Sequence, residues 1–138
     1  MPLKELTYTS LARLDLQASD LEAIHRTARE VNALEGITGL LIFNGTHFLQ
    51  IVEGGEDAIA DLVARLRRDL RHSALEIRDE RKVAERVFPD WSMEMVRVST
   101  RYSEARETLT EHLPDELPGE VRDRVLRMTE AISGSVAI

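Results

Sequence analysis

The class this sequence predicts is an α+β fold with a ferredoxin-like β-α-β-β-α-β-β order, two helices on one face of the sheet and two carboxy-terminal helices covering the other. Three observations predict it. The hydrophobic period switches repeatedly along the chain between two and about 3.6, which separates strands from helices. An Asn-Gly pair divides two apolar runs, Ile37 to Phe43 and Phe48 to Glu53, as in a β-hairpin. Alternation in the second arm leaves both its faces, Phe48, Gln50 and Val52 against Leu49 and Ile51, apolar apart from Gln50, and such a sheet needs cover on both sides.

Each element has its own signal. Side chains alternate from Leu3 to Thr9, with Leu6 and Tyr8 on one face, and read as a short first strand. Ser19 followed by Glu22 has the form of a capping box, after which Leu21, Ile24, Ala28 and Val31 make the stripe of a first helix ending near Gly36. Within the hairpin, Phe48, Gln50 and Val52 share one face, and Leu49 and Ile51 the other. Gly54 and Gly55 end it, and Ile59, Leu62, Val63, Leu66 and Leu70 define a second helix. Leu75 to Ile77 and Trp91 to Val98 read as two further strands around a charged connection. Tyr102, Ala105 and Leu109 then share one helical face, and Val121, Val125, Met128 and Ile132 another, with Pro118 placed to open the last helix. These last two helices are the expected cover for Leu49 and Ile51. The organisation expected is a unit of residues 1–98 carrying a helical extension, 99–138, packed on its sheet.

Composition excludes several classes of function. With 138 residues the chain suits one domain and leaves no room for a catalytic output domain. It contains no cysteine, so disulfides, thiolate nucleophiles and cysteine zinc sites are absent. The four histidines are scattered without metal-ligand spacing. His25 and His47 read as surface residues, and His112 as a helix-end residue. Glu53 and Asp69 form no recognisable acid and base pair with any histidine, and no enzymatic activity is expected. A net charge of −7 opposes direct nucleic-acid binding, as does a covered sheet. The chain lacks both GxGxxG and GxxxxGK loops. No apolar run approaches the roughly 18 residues of a membrane span, and the opening residues MPLKELTYTS lack the apolar stretch of a secretory signal. A cytoplasmic protein without membrane association is the expectation.

Polar residues at positions where the pattern calls for apolar ones carry the functional signal. Tyr8 shares a strand face with Leu6, Gln50 lies between Phe48 and Val52, and Asn32 directly follows Val31 at the end of helix one. An unpartnered buried amide or hydroxyl costs about 1 to 3 kcal/mol, so each needs a partner. Taken singly, Tyr8 can satisfy itself at the domain edge, Gln50 can bond to backbone and Asn32 can cap its helix. Together they offer donors and acceptors to a planar heteroaromatic guest, and a flavin's pyrimidine edge, with two carbonyls and an N–H, has that demand.

Five segments in order are similar to the BLUF family of blue-light sensors that use FAD, in its short form with a small helical tail. They are LTYTS (Leu6 to Ser10), NALEGITGLLIF (Asn32 to Phe43), FLQIVEG (Phe48 to Gly54), RRDLRHS (Arg67 to Ser73) and FPDWSM (Phe88 to Met93). The resemblance covers about the first 98 residues and implies noncovalent FAD between helices one and two. It implies that Tyr8 is the light-driven electron donor, that Gln50 lies between Tyr8 and the ring and rearranges by rotation or tautomerisation, and that Asn32 bonds the pyrimidine edge. Ile24, and with less support Ile37, correspond to apolar residues packed on the ring. Trp91 and Met93 match a pair of which one or the other approaches the glutamine, although at strand alternation both also read as core. His72 falls in a segment tied to the cofactor or to loop structure. Arg26 and Arg29, on the solvent side of helix one, are candidates for phosphate contact. Val31 stands where some relatives carry a histidine. The output expected is a downstream protein partner or a homodimer surface; the competing reading is a light-independent ferredoxin-like binding or regulatory module.

Overall fold

The computed structural model describes residues 2–91 and 93–133. Ser92 of the FPDWSM segment and the last five residues of the helical extension therefore lie outside the described residues. The elements follow in the order β1 (Leu3–Ala12), α1 (Ala18–Glu35), β2 (Thr38–Phe43), β3 (His47–Gly55), α2 (Glu56–Arg68), β4 (His72–Val83), β5 (Glu94–Arg97), α3 (Tyr102–His112) and α4 (Gly119–Ser133).

The five strands form one sheet in the order β4-β1-β3-β2-β5. β3 runs antiparallel to both β1 and β2, so β1 and β2 are parallel to each other with α1 as their crossover, the split β-α-β of a ferredoxin-like fold. β4 extends the sheet beyond β1 in the antiparallel sense, and β5 adds to β2 in parallel.

Alternation sends the apolar side chains of this sheet into two cores. One face packs Leu6, Tyr8, Leu41, Phe48, Val52 and Met93 under α1 and α2, with Leu21, Ile59 and Leu62 from the helices. Leu40, Ile42, Leu49, Ile51 and Val96 occupy the opposite face, where Leu109 of α3 and Val121, Val125 and Ile132 of α4 cover them. Each fully buried Leu or Ile contributes about 1.5 to 3 kcal/mol, so the carboxy-terminal helices complete a core.

Local chemistry sets the joints. The first helix starts two residues earlier than its Ser19 signal suggests: Gln17 is the N-cap, and its N–H donates to the Asp20 carboxylate at 2.9 Å. Ser19 lies inside the first turn instead. At the other end Gly36 takes a left-handed φ of 70°, a conformation that favours glycine, and the Ile37 N–H then donates to the Asn32 carbonyl at 2.8 Å. Gly39 is required by close approach, since a Cβ there would stand 1.9 Å from the Ile51 carbonyl oxygen. In the hairpin turn the Asn44 side-chain carbonyl accepts from the Thr46 and His47 backbone N–H groups.

Two boundaries differ from the sequence pattern. β4 continues through the charged segment to Val83, because an edge strand paired only with β1 keeps its charges in solvent and needs no apolar alternation. β5 is correspondingly short. Leu70 follows the end of α2 and is exposed, so it belongs to no helical stripe. No helix among the described residues is long and apolar enough to cross a membrane, and these residues contain no cluster of His, Cys, Asp and Glu able to hold a metal.

Candidate functional site

Tyr8 of β1 and Gln50 of β3 are cross-strand partners on the face beneath α1 and α2. The Tyr8 hydroxyl donates to Gln50 Oε1 at 2.5 Å. That bond fixes the amide: Nε2 points the other way and lies 3.2 Å from the Met93 sulfur, which can only accept. All three side chains are buried. Burial, reinforced by the negative charge of Asp69, pushes the Tyr8 phenol far above its ordinary 10.0, so its proton is held.

A cavity of about 270 Å³ opens over this pair, between α1 and α2. Ile24, Ala28, Val31 and Asn32 line it from α1, at the i, i+4, i+7 and i+8 spacing of one helical face. Leu62, Arg65 and Leu66 line it from α2, and Phe48 and Leu41 from the sheet. Asp69, Arg71 and His72 complete the wall after α2.

Two side chains carry unsatisfied polar atoms here. Asn32 is 1% exposed, and neither its amide nitrogen nor its amide oxygen has a partner. Arg65 donates from Nη1 to Glu35 at 2.8 Å, while its buried Nη2 is unpartnered. A buried amide with both ends free is costly unless a ligand completes it. His72, in contrast, is saturated: its two ring nitrogens meet Ser10 Oγ and the Leu66 carbonyl, each at 2.7 Å. The carbonyl only accepts, so the Nε2 of His72 carries a hydrogen. Arg71 clamps Asp69 through three side-chain contacts and one backbone bond, which holds that carboxyl below its usual range.

The family model described as BLUF, sensors of blue light using FAD, matches residues 3–94 of this chain. The chain belongs to the BLUF family. The photoactivated adenylate cyclase subunit beta of Euglena gracilis is 39% identical over 92 residues, which are 66% of this chain but only 11% of that protein. The chain thus spans about a ninth of such curated relatives. Among solved structures, the dark-state structure of BlrB, a BLUF protein, is 34% identical with a TM-score of 0.72 and covers 98% of both chains. BlrP1 BLUF is 29% identical, with a TM-score of 0.79, over 96% of this chain and 90% of that one.

FAD is the cofactor of BLUF proteins, and the residues here fit it. The free amide of Asn32 offers both a donor and an acceptor to a pyrimidine edge that carries carbonyls and an N–H, and the free Nη2 of Arg65 adds a donor. The apolar wall of Ile24, Ala28, Val31 and Leu62 suits a flat aromatic ring.

Of the residues singled out in the sequence, the structure brings Tyr8, Ile24, Asn32, Gln50 and His72 to this cavity, with Met93 beside Gln50. Four others lie elsewhere, among them Arg26, which is exposed on α1 and does not line the cavity. Ile37 is buried against Gly54 and does not line the cavity. Arg29 is exposed, one residue and therefore about 100° around the helix from Ala28. Trp91 stacks on Phe88, centroids 5.3 Å apart, in the core of the opposite face. Its separation from Met93 has a simple cause: β5 begins only at Glu94, so strand alternation does not relate Trp91 to Met93.

Sequence reasoning missed Arg65, whose position three residues after Leu62 on the α2 stripe was an available signal. It also missed two ties to the segment before β5. The buried Glu53 carboxylate accepts the backbone N–H of Val87 and, at 2.8 Å, that of Phe88. His25 of α1, taken for a surface residue, reaches the Met93 carbonyl with Nε2 at 2.9 Å.

Proposed function

We propose that this chain is a blue-light photoreceptor that binds FAD noncovalently in the Tyr8–Asn32–Gln50 cavity, with Tyr8 as photoactive donor and Gln50 as switch. One observation carries the reading: the ordered Tyr8–Gln50–Met93 hydrogen bonds end at the same cavity that holds the unpartnered Asn32 amide. Ile24 packs on the ring, Asn32 and Arg65 hold its polar edge, and His72 supports the wall.

Bound there, the isoalloxazine supplies absorption of blue light and, once excited, a transient acceptor for one electron and one proton. Tyr8 releases both, the proton from its phenolic oxygen, and takes them back. While the phenol is oxidised it no longer donates to Gln50 Oε1, and the reason for the amide's dark orientation disappears. Gln50 is then free to rotate or tautomerise, and after Tyr8 has recovered its proton the altered amide would offer the bound flavin a different hydrogen bond. No stable product forms, so the chain acts as a sensor and not as an enzyme.

Residues 1–98 form the photosensory unit and 99–138 the extension that reads it. The output passes to a downstream protein partner or to a homodimer surface. In the cytoplasm such a unit needs no membrane or nucleic-acid contact.

The test is direct. Purified protein should release FAD on denaturation, and blue light should produce a reversible red-shifted absorption. Tyr8→Phe should keep the flavin and lose the shift; Gln50→Leu should abolish the light-induced change at the C4 carbonyl infrared band. A protein that takes up no flavin would be a light-independent ferredoxin-like module.

A further inference from the structure

Trp91 and Met93 are each fastened at the backbone carbonyl, by two different elements. The Gly39 N–H of β2 donates to the Trp91 carbonyl at 2.9 Å. The Met93 carbonyl meets His25 Nε2 of α1, also at 2.9 Å. The two side chains lie on opposite sides of the sheet: the Trp91 ring packs in the core under α3 and α4, and the buried Met93 side chain in the core under α1 and α2.

The Met93 carbonyl can only accept, so His25 donates from Nε2 and its hydrogen lies on that nitrogen. This makes a continuous path: Tyr8 hydroxyl to Gln50 Oε1, Gln50 Nε2 to the Met93 sulfur, and the Met93 carbonyl to His25. His25 directly follows Ile24, which lines the cavity, so the helix that walls the site also holds the residue on which the Gln50 amide rests. Among the described residues this thioether is the hydrogen-bond partner of the Gln50 NH2 group.

We propose that His25 is a positioning residue that keeps Met93 beside Gln50 and thereby governs the return of the Gln50 switch in darkness. The inference rests on the photoreceptor reading above. With the His25 bond in place, the Met93 sulfur stands in the path of the Gln50 amide and slows its rotation. Without the bond, Met93 loosens, its sulfur withdraws and the amide turns back sooner. Because Trp91 belongs to the same segment, its surroundings change with the same bond.

Trp91 is the only tryptophan of the chain, so its emission reports this segment with or without light. His25→Ala should shift Trp91 emission in the dark and accelerate dark recovery about two- to tenfold, the range one ordinary hydrogen bond governs. His25→Gln, whose amide N–H can donate to the same carbonyl, should restore both toward wild type. In a Met93→Ala background, His25→Ala should add little further acceleration. Unchanged Trp91 emission and recovery in His25→Ala would overturn the proposal, as would a His25→Gln variant indistinguishable from His25→Ala. Equal acceleration with and without Met93 would also overturn it, by placing the effect in α1 itself. If wild-type protein shows no photoproduct, the photoreceptor reading has failed, and Trp91 emission alone still decides whether His25 holds the segment.

Discussion

Arg124 of α4 closes on the carboxylate of Glu5 of β1 at the sheet face opposite Tyr8, with both side chains buried. Asp79 of β4 lies 3.6 Å from the same guanidinium. Burial raises the Glu5 carboxyl above its ordinary 4.5, and Arg124 opposes that rise. A raised carboxyl favours the native state most when protonated, so this contribution is complete below pH 4.5 and declines as pH rises through the folded value. At neutral pH the pair is therefore held against a desolvation cost. Without Arg124 the Glu5 carboxylate is a lone buried charge, so Arg124→Leu should lower stability by about 3 to 5 kcal/mol; Glu5→Leu should cost less, because Asp79 still faces the guanidinium, and the double Leu variant should fall near wild type. Urea denaturation of the four proteins closes the cycle, and additive losses would show that the two residues act independently.

Asn32 should separate binding from folding. In the absence of ligand its buried, unpartnered amide costs about 1 to 3 kcal/mol, so Asn32→Leu is expected to raise apoprotein stability. The same change removes the donor and acceptor offered to the flavin edge, and FAD affinity should fall about 5- to 150-fold, that same energy read as a binding constant. Titrating apoprotein with FAD and unfolding it in urea measure the two effects. A loss in both would make Asn32 a packing residue.

The Tyr8 phenol sets the alkaline limit. Its burial holds the proton well above the ordinary 10.0, so the unfolded chain loses that proton first. The stability that Tyr8 contributes is complete below pH 10.0 and is lost as pH rises through the folded value. Between those values the loss approaches about 1.4 kcal/mol per pH unit, the limit for one proton. Tyr8→Phe should remove that component, and denaturant midpoints on either side of pH 10.0 should decline less steeply than those of wild type.

The elements that bury apolar side chains at a regular period were readable before the structure: both cores follow the alternation of Leu6 with Tyr8 and of Phe48, Gln50 and Val52 against Leu49 and Ile51. The polar positions inside that pattern, Tyr8, Asn32 and Gln50, were readable for the same reason, because each interrupts it. What escaped lacks a period. β4 carries charges along a sheet edge, Trp91 and Met93 lie on opposite faces before β5 begins, and His25 bonds to a backbone carbonyl 68 residues away. Glu5 and Arg124 look like ordinary surface charges 119 residues apart, and only the docking of α4 reveals them as a buried pair.

That docking supplies the last prediction. α3 and α4 cover Leu40, Ile42, Leu49 and Ile51, and α4 supplies the cation for Glu5. The flavin cavity draws all its lining residues from positions 8 to 72. Ending the chain before Arg101 should therefore expose a continuous apolar face with an unpaired carboxylate at its edge, a surface that favours aggregation or a new oligomer. FAD should still bind, since the cavity wall is intact. Size-exclusion chromatography with light scattering, together with the flavin spectrum of the truncated protein, reads both outcomes. A monodisperse, fully stable 1–100 fragment would show that the extension is dispensable as cover. Loss of FAD from a folded fragment would show that the photosensory unit depends on α3 and α4. In the full chain, blue light should alter hydrogen exchange in α4 near Arg124, because β1 carries both Tyr8 and Glu5 and spans the two faces. Identical exchange in light and darkness throughout α3 and α4 would direct the output to another surface.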